Sequence, residues 1–296
     1  MTTRDTLLSI VIVSWNTQDI LRRCLDSIRT AAPPLGFDVI IVDNASTDGS
    51  PDMVSSEFPE FTVIRNKENL GFAAANNIGI QRAVAGFVML LNPDTELCPG
   101  TVARMSSFAR EHPNVGIIGP RLVMPDGQLQ KSGRRFPTFM GEFLSVTRLS
   151  RVFKSFHDRN VGWGREDFDA ITEVDEVSGA CMLIRRSALD EIGLLDERFF
   201  MYYEDVDLCC RLKKAGWKVV YMGEGAVVHA WAQSALKMGV LRANGMMYRS
   251  QYLYFLKHHG PVQAVILRML SLLLLGVMRV KYAVIPPRAN GKEVSA

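Results

Sequence analysis

Phe37-Asp38-Val39-Ile40-Ile41-Val42-Asp43-Asn44-Ala45-Ser46-Thr47-Asp48-Gly49 passes from β-branched apolar residues straight into a cluster of Asp, Asn, Ser and Gly. An almost unbroken apolar run suits a strand covered on both faces, as in a parallel sheet. The polar cluster is turn chemistry and marks where that strand stops. The pattern recurs on both sides. Residues 8–13 are apolar and lead into Ser14-Trp15-Asn16, and residues 86–91 lead into Asn92-Pro93-Asp94. Between the first two runs, Ile20, Leu21, Cys24, Leu25 and Ile28 recur at helical spacing. Strands alternating with helices predict an α/β fold with a mostly parallel central sheet flanked by helices. In such sheets ligands bind outside the carboxyl ends of the strands. The three polar clusters are therefore expected to converge on one crevice.

Further out, the pattern predicts a helix over about 51–58, a short strand at 62–64 and a small-residue helix over 71–83. Residues 120–174 are weakly periodic and read as long loops with short elements. A strand is expected over 176–184, helices over 186–192 and 204–215, and closing strands at 218–222 and 226–229. There is no internal repeat.

The chain has 296 residues, 48% hydrophobic and 22% charged, with a net charge of +3. This excludes collagen-like, mucin-like and wholly disordered chains, and the small net charge gives no reason to expect a nucleic-acid partner. The charge is unevenly placed. Residues 241–296 hold eight Lys/Arg against the single acid Glu293. That basic segment contains a strongly apolar stretch at 262–285, interrupted by Arg268. A central Arg is costly in lipid. The stretch is therefore expected to lie in the membrane interface, with packing on the protein's own body or on a second copy as the alternative, and a true span disfavoured. The division expected is a catalytic domain over 1–240 and a basic, apolar helical segment over 241–296. Five cysteines show no metal-ligand spacing and an odd count, which fits buried thiols in a reducing compartment. The first apolar run is short and leads into polar residues, so it reads as a strand and not as a signal peptide.

Several groups carry candidate chemistry, each with a plainer structural use. Asp43 suits recognition of a base N–H, or a helix-start turn. Asp94 can hold a divalent cation, or close a strand-end turn. Tyr202-Tyr203-Glu204-Asp205-Val206-Asp207 puts three carboxylates at a helix start, where they serve as a general base or as caps. His229 ends a strand, and its weight depends on whether it faces Asp94. Arg134 and Arg135 can clamp phosphate oxygens, or stand solvated in a loop.

Taken together these segments resemble the family-2 glycosyltransferases of the GT-A fold, within them the bacterial rhamnosyltransferase-like branch. The resemblance rests on six pieces in order: 10–16, 42–49, 69–79, 91–94, 177–182 and 200–207. It implies that Ser14, Asn16, Asp43, Asn76 and Asn92 hold the donor nucleotide. Asp43 corresponds to the base-reading aspartate, and Asn76 stands where many relatives carry Arg. Asp94 corresponds to the last acid of the D-x-D metal motif, whose first acid is here Asn92, which can still bond ribose. His229 corresponds to the distal ligand of a divalent cation, Mg²⁺ or Mn²⁺. Asp205 corresponds to the catalytic base. Gly179, Ala180 and Glu204, with Arg134 and Arg135, fall around the diphosphate and acceptor. The QxxRW signature of processive synthases has no match, so one sugar per encounter is expected.

The resemblance further implies an inverting transfer of a sugar, L-rhamnose from dTDP-rhamnose ahead of a UDP-sugar, onto a saccharide or polyprenyl-diphosphate-linked acceptor in envelope polysaccharide synthesis. The place is the cytoplasmic side, peripheral to the plasma membrane. The competing readings are a sugar nucleotidyltransferase and a silent scaffold homologue. The first would carry a Gly-rich, basic phosphate loop where Ser14-Trp15-Asn16 stands, and the second is opposed by the presence of Asp43, Asp94, Asp205 and His229 together.

Overall fold

The computed structural model describes residues 7–31, 36–153, 168–230 and 238–284. The expectations that fall on 154–167 and 285–296 lie outside them. Three parallel strands lead the sheet: β1 (Leu8–Ser14), β2 (Phe37–Asp43) and β3 (Thr62–Arg65). β4 (Phe87–Leu91) lies parallel on the other side of β1. The remaining strands are β5 (Thr95–Leu97), β6 (Val115–Val123), β7 (Leu129–Gln130), β8 (Gly133–Arg134), β9 (Ile171–Glu173), β10 (Glu176–Val177), β11 (Cys181–Arg185) and β12 (Lys218–His229). The main order is β3-β2-β1-β4-β11-β6-β12-β5. β11 runs antiparallel between β4 and β6, and β12 returns parallel to β6. The sheet is thus mostly parallel with one reversed internal strand.

Helices α1 (Gln18–Ala31), α2 (Ser50–Glu57), α3 (Phe72–Arg82) and α4 (Thr101–Glu111) follow the first half of the chain. α5 (Phe139–Val146), α6 (Arg186–Ile192), α7 (Glu204–Lys214), α8 (Val240–His258) and α9 (Pro261–Val284) complete it. α1 buries Leu21, Cys24, Leu25 and Ile28, the helical stripe read in the sequence, against one face of the sheet. α3 comes close to the other face because Gly79 has no side chain: a Cβ there would stand 2.3 Å from Val11 Cγ1. Two cores sandwich the sheet, and a third, around Phe199, Val206, Tyr254, Phe255 and Leu267, ties α7 to the α8–α9 pair. All five cysteines are free thiols, four of them buried.

The segment expected as one strand over 176–184 breaks at Ser178-Gly179-Ala180. β10 pairs with β8 in a separate ribbon, and only β11 joins the sheet. The two closing strands are one long strand, β12, with an irregular register between Met222 and Ala226. β6 and α4, which no sequence expectation covers, fill one side of the sheet.

Candidate active site

A cavity of about 530 Å³ opens at the carboxyl ends of β1, β2 and β4. Its walls include Trp15, Asn44, Asn69, Asn92, Asp94, Arg134, Arg135, Glu176, Gly179, Ala180, Glu204, Asp205 and His229. Nine of the residues singled out in the sequence therefore share one space: Asn92, Asp94, Arg134, Arg135, Gly179, Ala180, Glu204, Asp205 and His229. Four stand behind it. Ser14 is fully buried and shares a hydrogen bond with Thr17. Asn16 has a left-handed backbone (φ 54°) and accepts from the Thr47 N–H through its side-chain oxygen. Asp43 accepts from the Ser46 N–H through Oδ2, while its buried Oδ1 has no hydrogen-bond partner. Asn76 is buried inside α3, and its amide donates to the Phe72 carbonyl four residues back.

The loop bounding one end of the cavity is organised by Asn44, which the sequence reading did not single out as a site residue. Its Oδ1 accepts from Asn66 Nδ2 and the Leu70 N–H, and its Nδ2 donates to Asn69 Oδ1 and the Gly71 carbonyl. One buried amide thus fixes both ends of the 66–71 turn. Its only sequence signal is its place after the β2 aspartate.

Asp94 and His229 meet across the cavity floor, with His229 Nε2 3.3 Å from Asp94 Oδ1. The imidazole tautomer follows from its other side. Gln130 donates through Nε2 to the His229 carbonyl, which turns Oε1 toward His229 Nδ1 at 2.8 Å. Nδ1 must then carry the proton that Gln130 accepts. Nε2 is then the ring nitrogen turned to Asp94, at a spacing that a shared cation would also fit. Ligand bonds of about 2.1 Å meeting near a right angle put the two ligand atoms about 3 Å apart. Asn92 Oδ1 is buried nearby on the cavity wall with no hydrogen-bond partner. The set of one carboxylate, one imidazole and one amide oxygen fits Mg²⁺ or Mn²⁺. Among the described residues no group of three or more His, Cys, Asp or Glu side chains is gathered for a metal. Gln130 bonds the far side of His229 as the orienting partner of a metal-bound histidine would; sequence reasoning missed it because it comes from a distant hairpin.

The acidic cluster sorts into three environments. Tyr202 and Tyr203 take left-handed backbone angles (φ 69° and 65°), so the chain turns sharply into α7. Asp205 is partly exposed and lines the cavity. Its Oδ2 accepts from the Gly179 N–H and its Oδ1 from the Val206 N–H, both at 2.9 Å. Glu204 is buried with Oε2 unpartnered, and burial, with Asp205 beside it, raises its carboxyl well above the usual range. Asp207 has no exposure and is bonded by Arg211, Lys257 and His258. Two of the three thus line the cavity, and of these Asp205 is the partly exposed one with both oxygens oriented by backbone N–H groups. Across from it, Arg134 Nε pairs with Glu176 Oε1 at 2.9 Å, and the two residues face each other in the β8–β10 ribbon. Burial pushes the Glu176 carboxyl up to about 8, against the opposing pull of Arg134.

A family model for "Glycosyl transferase family 2" matches residues 9–193. The chain belongs to that family. It is a glycosyltransferase with a GT-A architecture. It is 33% identical over 253 residues to an N-acetylglucosaminyl-diphospho-decaprenol L-rhamnosyltransferase of Mycobacterium tuberculosis, covering 77% of each chain. Among solved structures it is similar to the mannosyltransferase PcManGT from Pyrobaculum calidifontis in complex with GDP-Man and Mn²⁺, with a TM-score of 0.58, 15% identity, and 95% of this chain and 76% of that one covered. It is also similar to GalNAc-T7 with UDP, GalNAc and Mn²⁺, with a TM-score of 0.59, 17% identity, and 76% and 44% covered. At these identities the two structures show the fold.

Proposed function

We propose that this glycosyltransferase moves L-rhamnose from a nucleoside-diphosphate donor, dTDP-rhamnose ahead of a UDP-sugar, onto a lipid-linked N-acetylglucosaminyl diphosphate, inverting the anomeric centre. The carrying observation is that Asp205, with its oxygens oriented by two backbone N–H groups, lines the same cavity as the Asp94–His229 pair. The mycobacterial relative supports the sugar and the acceptor. Such acceptors lie at the cytoplasmic leaflet, so the enzyme works on the inner face of the plasma membrane as a peripheral protein.

The nucleotide is placed at the Asp43 and Asn44 end, and its diphosphate near Asp94. Asp205 accepts the proton of the acceptor hydroxyl as that oxygen attacks the anomeric carbon. The bond from that carbon to the diphosphate oxygen breaks on the opposite face. One base is enough for a single in-line displacement. Asp94 and His229 would hold a divalent cation, which would supply Lewis-acid neutralisation of the charge growing on the departing diphosphate. Arg135 stands on the same wall for phosphate oxygens, while Arg134 is engaged by Glu176.

A panel of nucleotide sugars, scored by melting temperature with and without Mn²⁺, tests the donor, since a bound donor stabilises the fold by mass action. dTDP-rhamnose with Mn²⁺ is expected to give the largest rise, and turnover to release dTDP. Pyrophosphate exchange without sugar transfer overturns the reading.

A further inference from the structure

α9 is apolar on two sides, and only one is covered. Ala264, Leu267, Ser271, Leu275 and Met278 are buried against α8 and α5. Val262, Val265, Met269, Leu273, Val277 and Val280 are exposed, each over half its surface or more. Their spacing of three and four puts them on one stripe over five turns. Monomeric proteins rarely leave so long an apolar surface uncovered without a use. A second apolar surface comes from a distant part of the chain. α5 packs on α9, with Val146 in contact with the Tyr248–Leu275 cluster, and leads into a short turn (Leu149–Arg151). There Leu149, Val152 and Phe153 are also exposed, Val152 at 75% and Phe153 at 54%.

The charge around this surface has one sign. Besides Lys257, which pairs with Asp196 and Asp207, residues 240–284 hold Arg242, Arg249, Arg268, Arg279 and Lys281 and no Asp or Glu. A second copy of the chain would bring the same cations to the same face, because a two-fold contact sets like against like. An anionic lipid leaflet complements them. The helix is long and apolar enough to cross a membrane. However, its buried side is committed to α8: Ser271 Oγ donates to Gln251 Oε1 in the interior, and Leu267 packs with Tyr254 and Phe255. A spanning helix would have to abandon those contacts.

We propose that the exposed stripe of α9 and the 149–153 turn form one lipid-docking platform, which lays the enzyme on an anionic bilayer surface with α9 in the interface plane. Between the platform and the catalytic cavity stand α5 and α8. α5 contributes Glu142, Ser145 and Val146 to the cavity wall, and α8 contributes Asn244, Met247, Tyr248 and Gln251. The helices whose inner sides enclose the acceptor end are thus the ones carried by the lipid-facing surface. This deepens the functional reading, since a lipid-linked acceptor would reach the cavity without leaving the bilayer surface, but its test does not depend on the sugar transferred.

The test is sedimentation of the full chain with sucrose-loaded vesicles of phosphatidylcholine alone or mixed with phosphatidylglycerol, beside the double variants Met269→Glu/Leu273→Glu and Val152→Glu/Phe153→Glu. All four positions are exposed, so the variants should keep the parent circular dichroism and melting temperature. The parent is expected to bind the anionic vesicles at least about tenfold better than the neutral ones. Each variant is expected to lose at least about tenfold of that binding, with turnover of a short soluble acceptor unchanged. Equal binding by parent and variants overturns the proposal. So does resistance of the parent to alkaline carbonate extraction, which marks a spanning helix. A dimer in solution that the α9 variant dissociates assigns the stripe to a second copy and also overturns it. Failure of the soluble-acceptor assay with vesicle binding intact would count against the proposed reaction and not against the platform.

Discussion

Three neighbouring carboxylates begin α7, and burial decides which of them reacts. Asp207 is spent on Arg211, Lys257 and His258, and Glu204, though also on the cavity wall, is buried with its carboxyl raised, which leaves Asp205 as the partly exposed carboxylate of that wall. Asp205→Asn keeps the shape and removes the base. Turnover is expected to fall about 10²–10⁴-fold, the usual range for a general base, with the donor-induced rise in melting temperature retained. The base is also positioned by an absence. A Cβ on Gly179 would lie 3.3 Å from Asp205 Cβ and Oδ2. Gly179→Ala should push the carboxylate aside by a few tenths of an ångström and lower kcat on the order of tenfold, with donor affinity unchanged, since small misplacements of reacting groups are costly. Gln130 acts one step further out, by keeping His229 Nε2 toward Asp94. For Gln130→Ala the Mn²⁺ concentration giving half-maximal activity is expected to rise about 10–100-fold, the usual effect of losing such a partner. An unchanged Mn²⁺ titration would show that the Gln130–His229 bond serves the fold alone.

At the scale of elements, the β8–β10 ribbon is the part of the site least legible in the sequence. β1, β2 and β4 announce themselves because each is a long apolar run ending in turn residues. β8 and β10 have two residues each, and a two-residue strand has no period to read. Arg134 and Glu176 are paired only because the register sets them opposite. From sequence, Arg134 therefore reads as a phosphate clamp or a solvated loop residue, and Glu176 carries no signal. Ser178-Gly179-Ala180 reads as continuous with β11 because its residues are small and mostly apolar, although its job is to present an N–H to Asp205. The ribbon has a pH signature. The Glu176 carboxyl titrates near 4.5 when unfolded and at about 8 in the folded protein, raised chiefly by burial. Between those values the unfolded chain gives up a proton that the native state keeps. Stability is then lost as pH rises through this window, by at most about 1.4 kcal/mol per pH unit. Glu176→Gln cannot ionise and should flatten the fall in unfolding free energy across the window, measured by urea titration at several pH values. A variant that follows the parent curve would place the titration elsewhere.

At the scale of the molecule, charge and hydropathy both change near residue 240, and the sequence therefore suggests a boundary there. Composition cannot show which side of a helix faces inward. α8 proves to be a wall of the catalytic cavity through Asn244, Met247, Tyr248 and Gln251, and a strut for α7 through Lys257 and His258. α9 in turn covers α8. Removing 261–296 would strip Leu267, Leu275 and Met278 from the core they share with Tyr254, Phe255, Val146 and Tyr248. The partners left uncovered each cost roughly 1.5–3 kcal/mol if returned fully to water, so the loss is on the order of 5 kcal/mol. That is comparable to the whole stability of an ordinary domain, roughly 5–15 kcal/mol. The truncated chain is therefore expected to melt far below the parent, or not to fold, and to lose the donor-induced shift as well as membrane binding. The full chain should unfold in a single calorimetric transition, because the buried Asp207 network and the Phe199–Leu267 core cross the supposed boundary. A truncated enzyme that melted with the parent and still bound donor would mean that the last helix is an appendage, whereas the contacts described make it structural on one face and leave the other exposed.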